Sequence, residues 1–514
     1  MYKNFYFKII YLFILGVFSS FSLPPYNFFL INFFTISLFF IFLIKEKENF
    51  KKKSIYFVFG WIFGFGYFLS SLYWISYALT FDEVFKFLIP IGLILIPSFL
   101  GIFYGLSSYF FSFFLKKDNI SLLLIFSSIF GCIEFIRGNI LTGFPWNLFV
   151  FSFSKNTEFL QILSFTGTYG LNLICISFFL IPAIFILRKS RKEIFFCLFL
   201  ILLSSFFFIY GNQKLNDKNI IIKKDNDFTI KLVSPKIDIE MFYDNNSEVK
   251  IIKNLINLSE PNPDISTIFI WPEGALSPLN LKDIKLYKRL FQKNFSEKHL
   301  IVLGINDFIF SDKNIKHYNS LAVVDRDLKI KAIYYKNNLV PFGEFLPFEK
   351  YLSNLGLKTI SYGYESYSSG KKRNIIKLQN ENFNLNFLPL ICYEIIYSGK
   401  LSKRKNFEII INISEDGWFG NSIGPYQHFT HSIFRAIEEG KDIIRVSNNG
   451  ITAHIGNNGL IISELKSTQS GVIEIVNFNE EKQTFFSQNG NKIFFYLLII
   501  YISLFFFINK KGSK

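Results

Sequence analysis

The sequence predicts a multi-span α-helical membrane domain joined to an α/β layered domain that lies outside the bilayer. Three observations predict it. Half of the 514 residues are hydrophobic and 69 are Phe, more than an ordinary soluble domain carries. The apolar residues gather into runs long enough for a hydrocarbon core of about 30 Å, which takes about 20 residues of helix to cross. Beyond Tyr210 these runs give way to short β-rich stretches separated by segments of helical spacing, the alternation of an α/β domain. The expected division is residues 1–210 in the membrane, 211–492 as one exported globular domain, and 493–514 as a last span with a basic tail.

Eight runs read as spans: Phe5–Leu23, Phe28–Ile44, Ile55–Leu79, Phe87–Leu115, Ile120–Ile136, Leu160–Leu187, Ile194–Tyr210 and Ile493–Ile508. The second, fifth, seventh and eighth are short. The first two, joined through Pro24-Pro25, also fit a hairpin that does not fully cross. Pro90 and Pro97 predict a kink in the fourth. Lys3 and Lys8 give the first run the look of a signal peptide. No small-x-small cleavage site follows it and another span does, so it reads as a retained helix.

The net charge of +16 raises the question of a nucleic-acid partner. The basic residues cluster beside the spans instead, at Lys45–Lys53, Lys116-Lys117, Arg188–Lys192 and Lys510–Lys514. With a cytoplasmic N-terminus and eight crossings, all four clusters fall inside, as the positive-inside rule requires. The loops Thr80–Lys86 and Arg137–Glu158 and the whole 211–492 block then fall outside. The charge is accounted for without nucleic acid.

In the exported block, Thr229–Val233, Thr267–Trp271, Leu300–Gly304, Ser320–Asp325, Leu385–Ile391, Glu408–Ile413 and Ile451–Ile455 read as strands. Leu281–Phe295 and Tyr426–Glu439 have helical spacing. Of the four cysteines, Cys132, Cys175 and Cys197 lie in spans; Cys392 alone lies in this block. It has no intrachain disulfide partner in a compartment that favours disulfides. It is either a small core residue or a thiol kept for chemistry.

Three strand ends carry reactive groups. Glu273, in Trp271-Pro272-Glu273-Gly274, follows an apolar run, where desolvation makes a carboxylate a usable base. Lys336, in Tyr334–Glu344 (YYKNNLVPFGE), is placed either to stabilise an oxyanion or to snorkel at a surface. Cys392 has Glu394 two residues on and needs a base and a nearby cation to act as a nucleophile. His428 and His431, spaced i, i+3, raise metal binding, but no further Cys or His completes a site, and no metal is expected. Glu134, Arg137 and Asn139 end a span, where charged groups usually pair or snorkel.

Spacing alone does not bring these groups together. Taken in order, WPEG around Glu273, KNNLVPFGE from Lys336 and ICYE around Cys392 resemble the nitrilase superfamily. The spans, Arg137-Gly138, Leu141–Trp146 (LTGFPW), Gly417–Pro425 (GWFGNSIGP) and Arg445–Ala453 (RVSNNGITA) narrow the resemblance to its membrane-embedded branch, the apolipoprotein N-acyltransferase family. The resemblance covers nearly the whole chain. It implies an α/β/β/α sandwich with Glu273 as general base, Lys336 steadying the oxyanion and Cys392 as nucleophile. Glu344 matches a second glutamate that helps hold the site, and Tyr393 and Glu394 match the residues flanking the nucleophile.

The same resemblance implies a two-step transfer from a phospholipid, through a Cys392 thioester, to the N-terminal amine of a diacylglyceryl-cysteine apolipoprotein. It implies no cofactor, a monomer, and a bacterial inner membrane with the exported block on the periplasmic side. The alternative is a membrane-tethered, nitrilase-like amidase that passes the acyl group to water. Ser361–Gly370, rich in Tyr, Ser and Gly, is the expected lid over the site. The chain departs from the family pattern at Glu415, where Asn is usual, and at Ser234, within Val233–Lys236, and Phe242, which replace a Gln-Asn pattern and a tryptophan.

Overall fold

A computed structural model describes residues 2–216, 227–243, 247–276, 279–311, 314–355, 359, 366–401, 406–479 and 483–511. The chain packs as two compact units. One comprises Met1–Asp217, Tyr397–Lys403 and Thr484–Lys514; the other comprises Lys218–Ile396 and Arg404–Gln483.

Among the described residues of the first unit, six helical stretches are long and apolar enough to cross a membrane: Ser54–Thr80, Glu83–Phe114, Asn119–Arg137, Leu163–Leu187, Arg191–Asn216 and Lys492–Lys510. Phe5–Ser20 and Leu30–Lys45 are apolar but shorter. Pro90 does not kink the fourth predicted span. It sits in the first turn of the helix Ile89–Phe111, where a missing N–H costs nothing, and only Pro97 lies in the helix interior. The predicted sixth span is interrupted at Gly167, whose backbone is not helical. Glu134 and Arg137 are paired, both almost fully buried, with Arg137 Nε 3.1 Å from Glu134 Oε2.

Among its described residues the second unit holds two six-stranded sheets. Strands β1 (Thr229–Ser234), β2 (Thr267–Ile270), β3 (His299–Ser311), β4 (Asn314–Asp325), β5 (Ile330–Tyr335) and β12 (Gly471–Ile475) form one, in the order β12-β1-β2-β3-β4-β5. Strands β6 (Ile376–Gln379), β7 (Asn384–Ile391), β8 (Ile409–Glu415), β9 (Asp442–Asn448), β10 (Thr452–Ile455) and β11 (Ile461–Leu465) form the other, in the order β11-β10-β9-β8-β7-β6. The inner strands of each sheet are parallel (β1 with β2, β2 with β3, β7 with β8, β8 with β9) and the flanking pairings antiparallel. The sheets face one another through β1 against β9 and β4 against β7. The helix Glu248–Ser259 packs on β1 and β12, and Gly424–Glu439 on β9 and β10. The result is the expected α/β/β/α sandwich.

Burial on both faces explains the composition of the central strands: β2, β8, β9 and β10 are buried at every residue. Pro389 is tolerated inside β7 because it pairs with Ile411 of β8, while the antiparallel ladder to β6 ends at Phe387. The predicted helix Leu281–Phe295 resolves into a 3-10 turn, Asp283–Tyr287, and a short helix, Lys288–Asn294.

Candidate active site

Glu273 lies three residues beyond the end of β2. Trp271 anchors the turn: it is fully buried and its Nε1 donates to Ser259 Oγ at 3.0 Å. Glu273 Oε1 accepts from Lys336 Nζ at 3.1 Å and from Asn319 Nδ2 at 2.7 Å. Its Oε2 accepts from the Glu415 backbone N–H at 2.9 Å. Lys336 follows β5 directly and is 1 % exposed. Burial opposes its charge, but Glu273 and then Glu344 outweigh burial and hold its pKa well above the ordinary lysine value.

Glu344 completes a ring of four groups. Its Oε1 accepts from Lys336 Nζ at 2.9 Å and Asn319 Nδ2 at 2.8 Å, and its Oε2 from the Val340 N–H at 2.9 Å. Asn319, on β4, thus gives one proton to each carboxylate. Nothing in Tyr318-Asn319-Ser320 marks it as special in the sequence; only the register of β4 with β5 puts it beside Lys336.

Cys392 is the first residue past β7 and opens the 3-10 turn Cys392–Ile396. Its φ of 49° is left-handed, a conformation a cysteine rarely adopts without being held there. It is 8 % exposed. Burial pushes its thiol well above its ordinary pKa. The Glu273 charge pushes the same way, Lys336 pushes back, and Asp416 adds to the rise. The thiol therefore lies within the electrostatic reach of both Glu273 and Lys336.

Glu394, wholly buried, binds the turn to its surroundings. Its Oε1 accepts from Tyr334 Oη at 2.7 Å, the Asn337 and Asn338 N–H groups at 2.9 and 3.1 Å, and Arg373 Nη2 at 3.1 Å. Its Oε2 accepts from the Ile391 N–H at 3.0 Å. Burial alone would raise its pKa; Arg373 and these donors reverse that and hold it below the ordinary value. Arg373 was hidden in the sequence inside a run of basic residues. Tyr393 is buried beside Cys392 at 7 % exposure.

On another side of Cys392 lie Asp416 and His428. His428 Nδ1 is 2.8 Å from Asp416 Oδ1, and Arg445 Nη2 donates to Asp416 Oδ2 at 2.8 Å. Cys392 Sγ, an Asp416 oxygen and a His428 nitrogen lie within 4.8 Å of one another. Such a donor set suits a metal in kind, but Arg445 Nη2 sits 3.1 Å from His428 Nδ1, so a cation there would meet a buried guanidinium. The residues do not fit a metal.

Of the departures, Glu415 is buried between Asn448 Nδ2 at 2.6 Å and the Gly417 N–H at 2.8 Å, and burial holds its carboxyl well above the ordinary range. Ser234 is buried and its Oγ donates to Ser447 O at 3.3 Å. The Phe242 side chain and residues 361–365 of the expected lid lie outside the described residues.

Two facing mixed sheets, with a glutamate, a lysine and a cysteine just past three strand ends, define an enzyme of the carbon-nitrogen hydrolase class. A family model described as carbon-nitrogen hydrolase matches residues 268–476, and one described as the apolipoprotein N-acyltransferase N-terminal domain matches residues 15–181. The apolipoprotein N-acyltransferase of Rickettsia prowazekii (strain Madrid E) is 33% identical over 98% of this chain and 99% of its own. That of Rhizobium etli (strain CIAT 652) is 29% identical over 97% and 95%. The chain belongs to the apolipoprotein N-acyltransferase family. Among solved structures, Saccharomyces cerevisiae Nit3, a nitrilase-superfamily member, covers 49% of this chain and 90% of its own at 17% identity and a TM-score of 0.34.

Proposed function

We propose that this enzyme moves an acyl chain from a phospholipid to the N-terminal amine of a diacylglyceryl-cysteine lipoprotein, through a thioester on Cys392. The carrying observation is the Glu273–Lys336 contact at 3.1 Å, with the Cys392 thiol in the field of both. A thiol held protonated by burial needs its proton taken as it attacks, and Glu273 is the carboxylate whose charge weighs most on it. Sulfur bonds to the ester carbonyl carbon, and Lys336 steadies the charge that develops on the carbonyl oxygen. The intermediate expels the lysophospholipid alkoxide, which takes the proton from Glu273. The lipoprotein amine then attacks the thioester, gives a proton to Glu273 and leaves as an amide, while the sulfur recovers its proton. Splitting one hard transfer into two easier ones is the usual gain of covalent catalysis.

Glu344 and Asn319 hold Glu273 and Lys336 in register; Glu394 and Tyr393 support the nucleophile's turn. The reaction as proposed draws on no residue of a second copy, and we propose action as a monomer. Both substrates carry acyl chains, each worth about 0.8 kcal/mol per buried CH₂, so the reaction belongs at a bilayer surface. The basic clusters support a bacterial inner membrane with the sandwich on the periplasmic side. Phospholipid with a labelled acyl chain tests the reading. A hydroxylamine-sensitive label on the wild-type chain and none on Cys392→Ala is expected. Lipoprotein that gains one acyl mass supports transfer, whereas free fatty acid alone would assign the chain to the hydrolases.

A further inference from the structure

The buried cluster behind Cys392 is unused by the mechanism above, and its chemistry is specific. Asp416 is wholly buried. Arg445 and His428 overcome its burial and hold it ionised, so its oxygens only accept. Ser414 Oγ donates to Oδ1 at 2.7 Å and Arg445 Nη2 to Oδ2 at 2.8 Å, while Arg445 Nη1 also binds Asn412 Oδ1. The His428 ring, also wholly buried, stands edge-on to Phe419 with centroids 5.6 Å apart. One of its nitrogens faces Asp416; the other, Nε2, lies 3.3 Å from the carbonyl oxygen of Cys392. A peptide carbonyl can only accept, so this contact is a hydrogen bond when Nε2 carries the proton.

The Cys392 carbonyl belongs to the strained residue. A left-handed cysteine is strained and persists only where its surroundings over-determine it. Glu394 holds the turn through the Ile391 N–H on one side of Cys392. His428 reaches the carbonyl on the other. We propose that His428, whose Nδ1 accepts from Arg445 Nη2 at 3.1 Å, is a positioning residue of the acyl transfer: through Nε2–H it fixes the Cys392 carbonyl and keeps the sulfur in the field of Glu273 and Lys336. The proposal rests on the thioester reading, but its central contact is testable without any substrate.

His428→Gln places an amide N–H near the position of Nε2 and His428→Asn one near Nδ1, so the two variants separate the two sides of the ring. Alkylation of Cys392 by iodoacetamide, followed residue by residue in the detergent-solubilised full chain by mass spectrometry, reads the thiol alone. Formation of the labelled acyl-enzyme from phospholipid reads the first half-reaction. A displacement of about 1 Å costs on the order of 100-fold in such a step. In His428→Asn, acyl-enzyme formation is expected to fall ~10- to 100-fold, with the half-saturating phospholipid concentration unchanged. The pH profile of Cys392 alkylation is expected to move to lower pH as the sulfur leaves both fields, because the Glu273 charge weighs more on the thiol than the Lys336 charge. His428→Gln recovers at least half of that loss on a logarithmic scale.

Wild-type rates in His428→Asn, or equal losses in Asn and Gln variants of equal thermal stability, would overturn the proposal. If His428→Asn does not fold, His428→Leu replaces it, removing both ring nitrogens while leaving every charge beside the sulfur in place; an unmoved alkylation profile there overturns the proposal. If the wild-type chain forms no acyl-enzyme at all, the thioester reading fails, and the alkylation profiles still decide the role of His428.

Discussion

A thiol pulled in opposite directions by a carboxylate and an ammonium gives Glu273 two separable effects. As the proposed base it would speed the attack on an ester, yet as a neighbouring charge it adds to burial in raising the thiol's pKa. Glu273→Gln is therefore expected to slow acyl-enzyme formation by ~10²- to 10⁴-fold, the usual worth of a general base. The same variant should speed iodoacetamide alkylation of Cys392 at neutral pH, because Lys336 then acts unopposed by that carboxylate. Parallel losses in both assays would mean that the substitution merely damages the site. Glu394 acts on stability instead. Its pKa is depressed in the folded chain, so its contribution is present above the ordinary carboxylate value of about 4.3 and is lost as pH falls through the depressed value. Glu394→Gln strands Arg373 as a buried charge, a loss of about 3–5 kcal/mol. The gap between the unfolding midpoints of wild type and variant should be wide at neutral pH and narrow in acid.

The reactive groups are carried by the ends of strands, so the strands set how closely they meet. Gly304 of β3 lies beneath the Glu273 turn, and a Cβ there would stand 2.6 Å from Glu273 Cα and 2.7 Å from Pro272 O. Gly304→Ala must push the turn away, and a shift of about 1 Å there is expected to cost on the order of 100-fold in acyl-enzyme formation. A rate equal to wild type would show that the turn yields freely. The seven strands legible in the sequence are those whose side chains are mostly apolar or β-branched. β9 was not legible, because Asp442, Arg445, Ser447 and Asn448 make it look like a loop. Every one of its residues is nevertheless buried, since Arg445 meets Asp416 and Asn412, and Asp442 accepts from His454 at 2.9 Å. β5, β6, β11 and β12 are short or alternate with exposed residues and give too weak a signal. Glu273, Lys336 and Cys392 were legible by their contexts. Asn319, Arg373 and the work of His428 were not, because each matters through a partner far along the chain.

At the scale of the molecule, the helical unit relies on close backbone approach as much as on its phenylalanines. A Cβ on Gly60 would lie 2.3 Å from both Ser108 Oγ and Tyr104 O of the neighbouring helix, and one on Gly64 2.9 Å from Tyr104 Cβ. Small residues at such crossings are how helices pack in lipid. Gly60→Leu is expected to lower stability by about 1–3 kcal/mol, the cost of overpacking. A lower melting midpoint of the solubilised chain, with Cys392 alkylation unchanged below that midpoint, would place the damage in the bundle. The sandwich, for its part, begins and ends on ladder partners: Ile230 of β1 sits opposite Ile475 of β12, at the edge of its sheet. The start of β1 and the end of β12 thus lie at the same end of one antiparallel pair. A mechanical load applied through them would not shear the whole ladder at once but would unzip it rung by rung, so the β1–β12 seam is where the sandwich would first open under tension.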